Sequence, residues 1–412
     1  MKDRNFIYFP SFSVGNFANG MKNNFHLKNG MPIKFWDNNF PEKYNHPYFL
    51  VTAGHFYKSS NYINDWGFNQ DNLLTIGDSG GYQIASGAIK FNTDLKSVIF
   101  DWLEHNSKIA MNLDIPPRLK YKGKFNECLE ISKENFKYFA NRNSGKTEFL
   151  TVLQGDDEHS YTKWYKEVKQ YEFSGWGVGG CGGSLYRFMS SIMALMQGKE
   201  QYKDHNKWLH ILGTSKVIDF LILSQLQKSL NEINSNFTVT TDSSTPSRGV
   251  VYGLYYYDVD FRNLNFRSLH IPKARAENNK NLTKHTDNNI HDIIFKLPKL
   301  IGFDEYLYDG YDYEDIRDWT LEGYSVAILH NFMFFKQTMD LTNKFVYGHP
   351  YFLEQVTNSD TFLLLRSIDE MVKAYENNTT PEKVFSKYKN LYTKLSSKEV
   401  VSTGNVVHNF FV

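Results

Sequence analysis

The sequence has little cysteine, no long apolar run and almost no net charge, and each shortage excludes something. Its 412 residues contain two cysteines, Cys128 and Cys181. Two cysteines cannot by themselves build a cysteine-rich zinc site, and nothing about them indicates a disulfide framework. No apolar stretch approaches the length of a bilayer span. Met1-Lys2-Asp3-Arg4-Asn5 leads into no apolar run of signal-peptide type. The formal net charge is +1, so no global field draws the chain onto nucleic acid or an acidic membrane, and a polyanion would have to be held by local patches. His205, His210, His285 and His291 show no metal-ligand spacing. These absences lead us to expect a reduced, soluble, cytoplasmic protein with no membrane association.

What is present is a pitch. Short apolar runs of strand length recur at Tyr48–Ala53, Leu73–Gly77, Ile109–Leu113, Phe149–Leu153, Gly175–Val178, Trp208–Leu212, Phe237–Thr240 and Ser325–Leu329. Between most of them lie amphipathic stretches with helical spacing, among them Asp94–His105, Asn126–Asn141, Glu158–Tyr171, Leu185–Met196 and Lys216–Ile233. Alternation at this pitch indicates parallel βα units, and eight such units close into a (β/α)8 barrel. An open doubly wound sheet is the alternative, disfavoured by the missing Gly-rich dinucleotide turn. The segment 250–323 interrupts the pitch and reads as an insertion before the last strand. Helices are expected over Phe332–Phe345, Thr361–Glu376 and Pro381–Leu395. The division is therefore a barrel over 1–347 and a C-terminal helical extension over 348–412.

Each run ends in a polar or glycine cluster, and in a parallel barrel all those ends face one pocket. Two clusters are acidic. Asp78-Ser79-Gly80-Gly81-Tyr82-Gln83 follows one run, and Asp242-Ser243-Ser244-Thr245-Pro246-Ser247-Arg248 follows another. Two carboxylates at strand ends are the material for a nucleophile and an acid/base. Taken singly, Asp78 also suits a tight turn and Asp242 also suits a helix cap. Gly177–Gly183 reads alone as a flexible loop or phosphate cradle. Cys181 receives no role. Gly54-His55 ends the first run and is expected at the pocket.

Five motifs occur in order: Asp78-Ser79-Gly80-Gly81-Tyr82-Gln83, Asp114, Gln154-Gly155, Val178-Gly179-Gly180 and Asp242 with Pro246-Ser247-Arg248. In this order they resemble the tRNA-guanine transglycosylase family over roughly Tyr48–Arg248, with a weaker echo at Leu329-His330-Asn331. The resemblance implies base exchange through a covalent glycosyl-enzyme. Asp242 would be the nucleophile and Asp78 the acid/base. Asp114 would accept from the ring N–H and exocyclic amine of a guanine-like edge. Gln154 and the backbone N–H of Gly180 would donate to its carbonyl, with Gly179 allowing close approach. Tyr82 and Leu212 would sandwich the base, and Ser79 and Arg248 belong to the matched motifs and so to the expected substrate site. No cofactor is implied.

One departure bears on the substrate. The bacterial tRNA branch of that family holds zinc with three cysteines and a histidine, and this chain has no cysteine after Cys181. His330 matches the histidine position and is expected to be simply packed or hydrogen-bonded. A compact, zinc-less chain resembles the branch, found in bacteriophage and bacterial DNA-modification islands, that places 7-deazaguanines in DNA and hides it from restriction nucleases. The implied partners are DNA and a free 7-deazaguanine base, with tRNA as runner-up, a non-catalytic nucleic-acid-binding subunit as a further alternative, and a homodimer left open. Arg118, Lys120, Lys122 and Lys124, interleaved with Tyr121, follow Asp114 and are the expected nucleic-acid contacts; a solvated loop is the plainer reading. Lys273, Arg275, Lys280 and Lys284 form a second basic stretch.

Overall fold

A computed structural model describes residues 4–12, 32–59, 62–68, 71–92, 94–181, 183–270 and 321–402. Eight parallel strands form its main sheet: β1 (Ile7–Pro10), β2 (Tyr48–Thr52), β3 (Leu74–Asp78), β4 (Ile109–Met111), β5 (Glu148–Leu153), β6 (Gly175–Val178), β7 (Trp208–Ile211) and β8 (Thr238–Ser243). Their order is β1-β8-β7-β6-β5-β4-β3-β2, with every ladder parallel, so the strands follow the chain around a nearly closed (β/α)8 barrel. The helices are α1 (Ala53–Phe56), α2 (Tyr62–Trp66), α3 (Gly81–Ser86), α4 (Leu95–Asn106), α5 (Phe125–Arg142), α6 (Glu158–Val168), α7 (Leu185–Gln197), α8 (Val217–Asn231), α9 (Thr245–Val251), α10 (Leu321–Tyr347), α11 (Pro350–Val356), α12 (Ser359–Val372) and α13 (Pro381–Ser402).

Local chemistry accounts for the boundaries. The side chain of Asp157 accepts the Ser160 N–H at 2.7 Å while Ser160 Oγ accepts the Asp157 N–H at 3.0 Å, a reciprocal cap that starts α6. Proline occupies the first helical position of α13, where its missing N–H costs nothing. The strands are short and almost wholly buried, because helices cover the outside of the sheet and side chains fill the inside.

Seven of the eight expected strands stand where the hydrophobic runs put them. The eighth does not. Ser325–Leu329 lies within α10, and the barrel takes its remaining strand from Ile7–Pro10 at the amino end, paired in register with β8 so that Phe9 faces Asp242. A short apolar run has no periodicity that separates a buried strand from a buried helix. Here the run continues into Phe332, Met333, Phe334 and Phe335, all buried, so it belongs to a stretch of a 27-residue helix that is buried all round. The segment 250–323 consequently follows the last strand instead of preceding it. Its described part is the end of α9, an antiparallel hairpin of β9 (Leu254–Asp260) with β10 (Asn265–His270), and the start of α10. The second basic stretch, Lys273 to Lys284, lies outside the described residues, as do His285 and His291.

Strands β1 and β2 meet at the seam, and side chains bridge it. His46 Nε2 lies 2.7 Å from the Tyr8 carbonyl, and the rings of Phe9 and Tyr48 pack edge to face at 5.7 Å. Phe332 of α10 packs on Phe35 at 4.5 Å, on His46 at 5.2 Å and on Tyr8 at 6.4 Å, so this helix covers the seam. Burial holds the His46 imidazole neutral, its pKa lowered to about 3. The C-terminal helices join the barrel's own core: Ser229 Oγ of α8 donates to Asp369 of α12 at 2.7 Å, and Gln201 donates to the Val372 carbonyl at 3.2 Å. No helix among the described residues is long and apolar enough to cross a membrane.

Asn331 ties α10 to the chain that leaves the barrel. Its Oδ1 accepts the Tyr256 N–H at 3.1 Å, and its Nδ2 donates to the carbonyls of Pro246 at 3.1 Å and Leu254 at 2.9 Å. Replacing it by Ala strands those buried groups at roughly 1–3 kcal/mol. Denaturant unfolding of Asn331→Ala is therefore expected to show a lower midpoint with an unchanged slope; an unchanged midpoint would contradict the anchoring role.

Candidate active site

A cavity of about 610 Å3 opens at the carboxyl ends of the strands, the face where parallel barrels keep their chemistry. Asp78 of β3, Asp242 of β8, Asp114 beyond β4 and Gln154 beyond β5 all line it. So do Gly179, Gly180, Leu212, Tyr82, Arg118 and Arg248. The sequence-expected residues thus converge from positions 78 to 248. His55 lines the cavity as well.

Each carboxylate is held differently. Asp78 accepts the Gly80 N–H at 3.1 Å through Oδ1 and the Thr52 hydroxyl at 3.1 Å through Oδ2. The tight-turn role is therefore real, with Gly80 at φ +87 where only glycine is unstrained, and it coexists with exposure to the cavity. Burial raises the Asp78 pKa above the ordinary carboxylate range, the Gly80 N–H pulls it back, and the negative charge of Asp242 adds to the rise. Asp242 does not cap α9. Its Oδ1 instead accepts the Gly213 N–H at 2.9 Å and lies 3.2 Å from His210 Nε2.

Asp114 is perturbed by burial as well. Burial pushes its pKa to about 7; the hydrogen bond from Gln154 works against this and the charge of Asp78 with it. Gln154 Nε2 donates to Asp114 Oδ2 at 2.8 Å. The amide nitrogen keeps a second hydrogen for a ligand carbonyl, and Gln154 Oε1 is buried with no hydrogen-bond partner among the described residues. A β-carbon at Gly179 would sit 2.2 Å from Gln154 Nε2, so any other residue there would displace the amide. Tyr82, 57% exposed, and Leu212, beyond β7, line the same cavity. The result is a slot lined by acid, amide, Tyr82 and Leu212, a set of groups suited to a planar heterocycle with adjacent donors and an acceptor.

Some expected residues have other duties. Ser79 is buried and donates to the Asn112 carbonyl at 3.2 Å; it is not among the residues lining the cavity. Arg118 donates to the Gly180 carbonyl at 2.7 Å and lies 3.7 Å from Asp156, so it is part of the cavity wall. Lys124 pairs with Glu127 at 3.2 Å. Lys120 and Lys122 are exposed beside the turn Leu119–Tyr121, outside the cavity lining. His330 is buried with Nε2 2.8 Å from the Tyr256 carbonyl, and burial lowers its pKa to about 4. Sequence reading missed His210 and Thr52. Each lies on the strand next to the one that carries its acid, Thr52 on β2 beside β3 and His210 on β7 beside β8, and strand pairing alone shows their partners. No protein-family model matches the chain, and no curated protein matches it.

The acid at position 114 has a stability signature. Its folded pKa of about 7 exceeds the roughly 3.9 of an unfolded aspartate. The folded state therefore holds the extra proton, and stability from this group is lost as pH rises from about 4 to about 7. Asp114→Asn is expected to be more stable than the parent at pH 8, by a few kcal/mol at most, with no gain at pH 4. Thermal melts across that range check it; equal melting temperatures at pH 8 would mean the carboxyl is not desolvated.

Proposed function

We propose that this chain is a base-exchange transglycosylase acting on guanine in DNA and inserting a 7-deazaguanine. The observation that carries the reading is the convergence of Asp78, Asp114, Gln154 and Asp242 on one cavity. The motif resemblance assigns those four residues to this chemistry, and they come from four different strand ends.

The reaction needs two displacements. Asp242 attacks C1′ of the target nucleotide, the C1′–N9 bond breaks, and its electron pair leaves with the purine. Asp78, whose pKa burial raises, acts as the acid and gives the departing base a proton. The entering base then returns a proton to Asp78 as its N9 attacks C1′, and the ester bond to Asp242 breaks. Two inversions retain configuration, which is why the site needs a carboxylate nucleophile and not only an activated water. Asp114, ionised, accepts from the ring N–H and exocyclic amine. Gln154 and the Gly180 N–H meet the carbonyl, and Tyr82 and Leu212 close on the ring faces. On a duplex the target nucleotide must leave the stack to enter the slot. Lys120 and Lys122 at the rim meet its phosphates.

The deciding experiment offers purified protein labelled guanine with duplex DNA or with tRNA. DNA is expected to take up label, and label in tRNA alone would move the assignment to tRNA. Base release without incorporation would make the chain a hydrolase. Asp242→Ala is expected to abolish both exchange and the covalent adduct seen by intact mass, and persistent exchange would remove the mechanism. Guanine affinity is expected to rise with pH and level off above about 7 as Asp114 ionises; a flat profile would deny Asp114 its role. Joint replacement of Lys120 and Lys122 by Ala is expected to weaken DNA binding and to flatten its log-log salt dependence by roughly 1 to 2; an unchanged slope would place the phosphates elsewhere.

A further inference from the structure

One buried titratable side chain remains beside the reacting acids without a part in that scheme. His210 is fully buried on β7, opposite Thr240 of β8 in the parallel register. Its Nδ1 lies 2.8 Å from Thr240 Oγ1 and its Nε2 lies 3.2 Å from Asp242 Oδ1. A carboxylate oxygen only accepts, so Nε2 carries a proton directed at Asp242, and Nδ1 faces the Thr240 hydroxyl. The Gly213 N–H reaches the same Oδ1 at 2.9 Å. Oδ2 takes no hydrogen bond from the described residues, and the Phe9 ring packs against the imidazole at 6.4 Å.

We propose that His210 is a positioning residue that makes Asp242 a one-sided nucleophile and speeds breakdown of its glycosyl ester. The proposal rests on the transglycosylase reading. With Oδ1 tethered by two N–H groups, attack falls to Oδ2, and Oδ1 becomes the carbonyl oxygen of the ester. When the entering base displaces Asp242, the C1′–Oδ2 electron pair returns to the carboxylate. The His210 and Gly213 N–H groups stabilise that returning charge. The same bonds make the free carboxylate a weaker nucleophile, so they favour the second displacement over the first. Removing the His210 N–H shifts the balance toward the ester.

The test compares the full chain with His210→Leu and His210→Gln during turnover on the accepted nucleic acid. Measured quantities are kcat, KM for the free base, and the fraction of enzyme in covalent adduct after a rapid quench. His210→Leu is expected to lower kcat by roughly 10- to 100-fold, to leave KM for the base near its original value, and to raise the adduct fraction. His210→Gln keeps an amide N–H at similar reach and is expected to recover most of kcat. A purely structural histidine would lower melting temperature without changing the adduct fraction of folded protein. Unchanged kcat and adduct fraction in the Leu variant, or a Gln variant no better than Leu, overturns the proposal while leaving base exchange intact. Unmodified protein that exchanges no base overturns both. Should the Leu variant fail to fold, Thr240→Val removes only the hydroxyl that fixes the ring and carries the same expectation at smaller size.

Discussion

Three aspartates share one cavity with little water around two of them, and the rest of the structure is arranged around that electrostatic cost. Burial raises the carboxyls of Asp78 and Asp114, and the charge of a neighbouring aspartate raises each further. A chain selected for stability alone would not keep such a cluster, because like charges in a low-dielectric site disfavour one another's ionisation. The barrel offsets the cost with donors that belong to the strand ends. Asp78 has Thr52 and Gly80, Asp114 has Gln154, and Asp242 has Gly213 and His210. Each acid is thereby given a distinct environment, which is the condition for distinct roles in acid/base and nucleophilic chemistry.

The scaffold keeps those donors in place by being closed around the seam. Without β1 on its flank, β8 would be an edge strand and Asp242 would sit at the margin of the sheet. The Tyr8–His46 contact, the Phe9–Tyr48 pair and the cover of α10 hold β1 in that place. Phe9 pairs with Asp242 across the β1–β8 ladder and packs its ring on His210, so seam closure and the geometry of the proposed nucleophile share a residue. Asn331 extends the same logic outward, joining α10 to the turn that follows Asp242 through the Pro246 carbonyl.

Much of this was legible in the residues before any coordinates. The pitch of buried runs marked seven strands, and the polar clusters after them marked the cavity, because a parallel barrel converts strand ends into a common surface. What was not legible follows from physics the primary chain does not display. Ile7–Pro10 is four residues long and becomes a strand only because β8 offers it a partner. Ser325–Leu329 is apolar after its first residue, and a run buried on all sides has no period to read. The sequence neighbours of Arg118, Lys120 and Lys122, suggest a phosphate contact and give no sign of its bond to the Gly180 carbonyl or its approach to Asp156. Ser79 sits inside the specific acidic motif, yet strand pairing turns its hydroxyl to the Asn112 carbonyl.

His210 shows the same limit most sharply. As a letter in Trp-Leu-His-Ile-Leu-Gly it reads as one apolar-strand histidine among several, and a metal spacing is the only sequence pattern it could have joined. Its significance lies in register. Parallel pairing sets His210 against Thr240, and the two-residue period of a strand then puts Asp242 on the same side as Thr240. A shift of one residue in the β7–β8 ladder would turn the ring to the opposite face and leave Oδ1 with one donor fewer. The orientation of the carboxylate is thus a property of the whole ladder, from the Trp208–Thr238 pair at its start to the Gly213 N–H at its end. Side-chain geometry at the open end of such a barrel is specified by register at least as much as by the residues that motifs name.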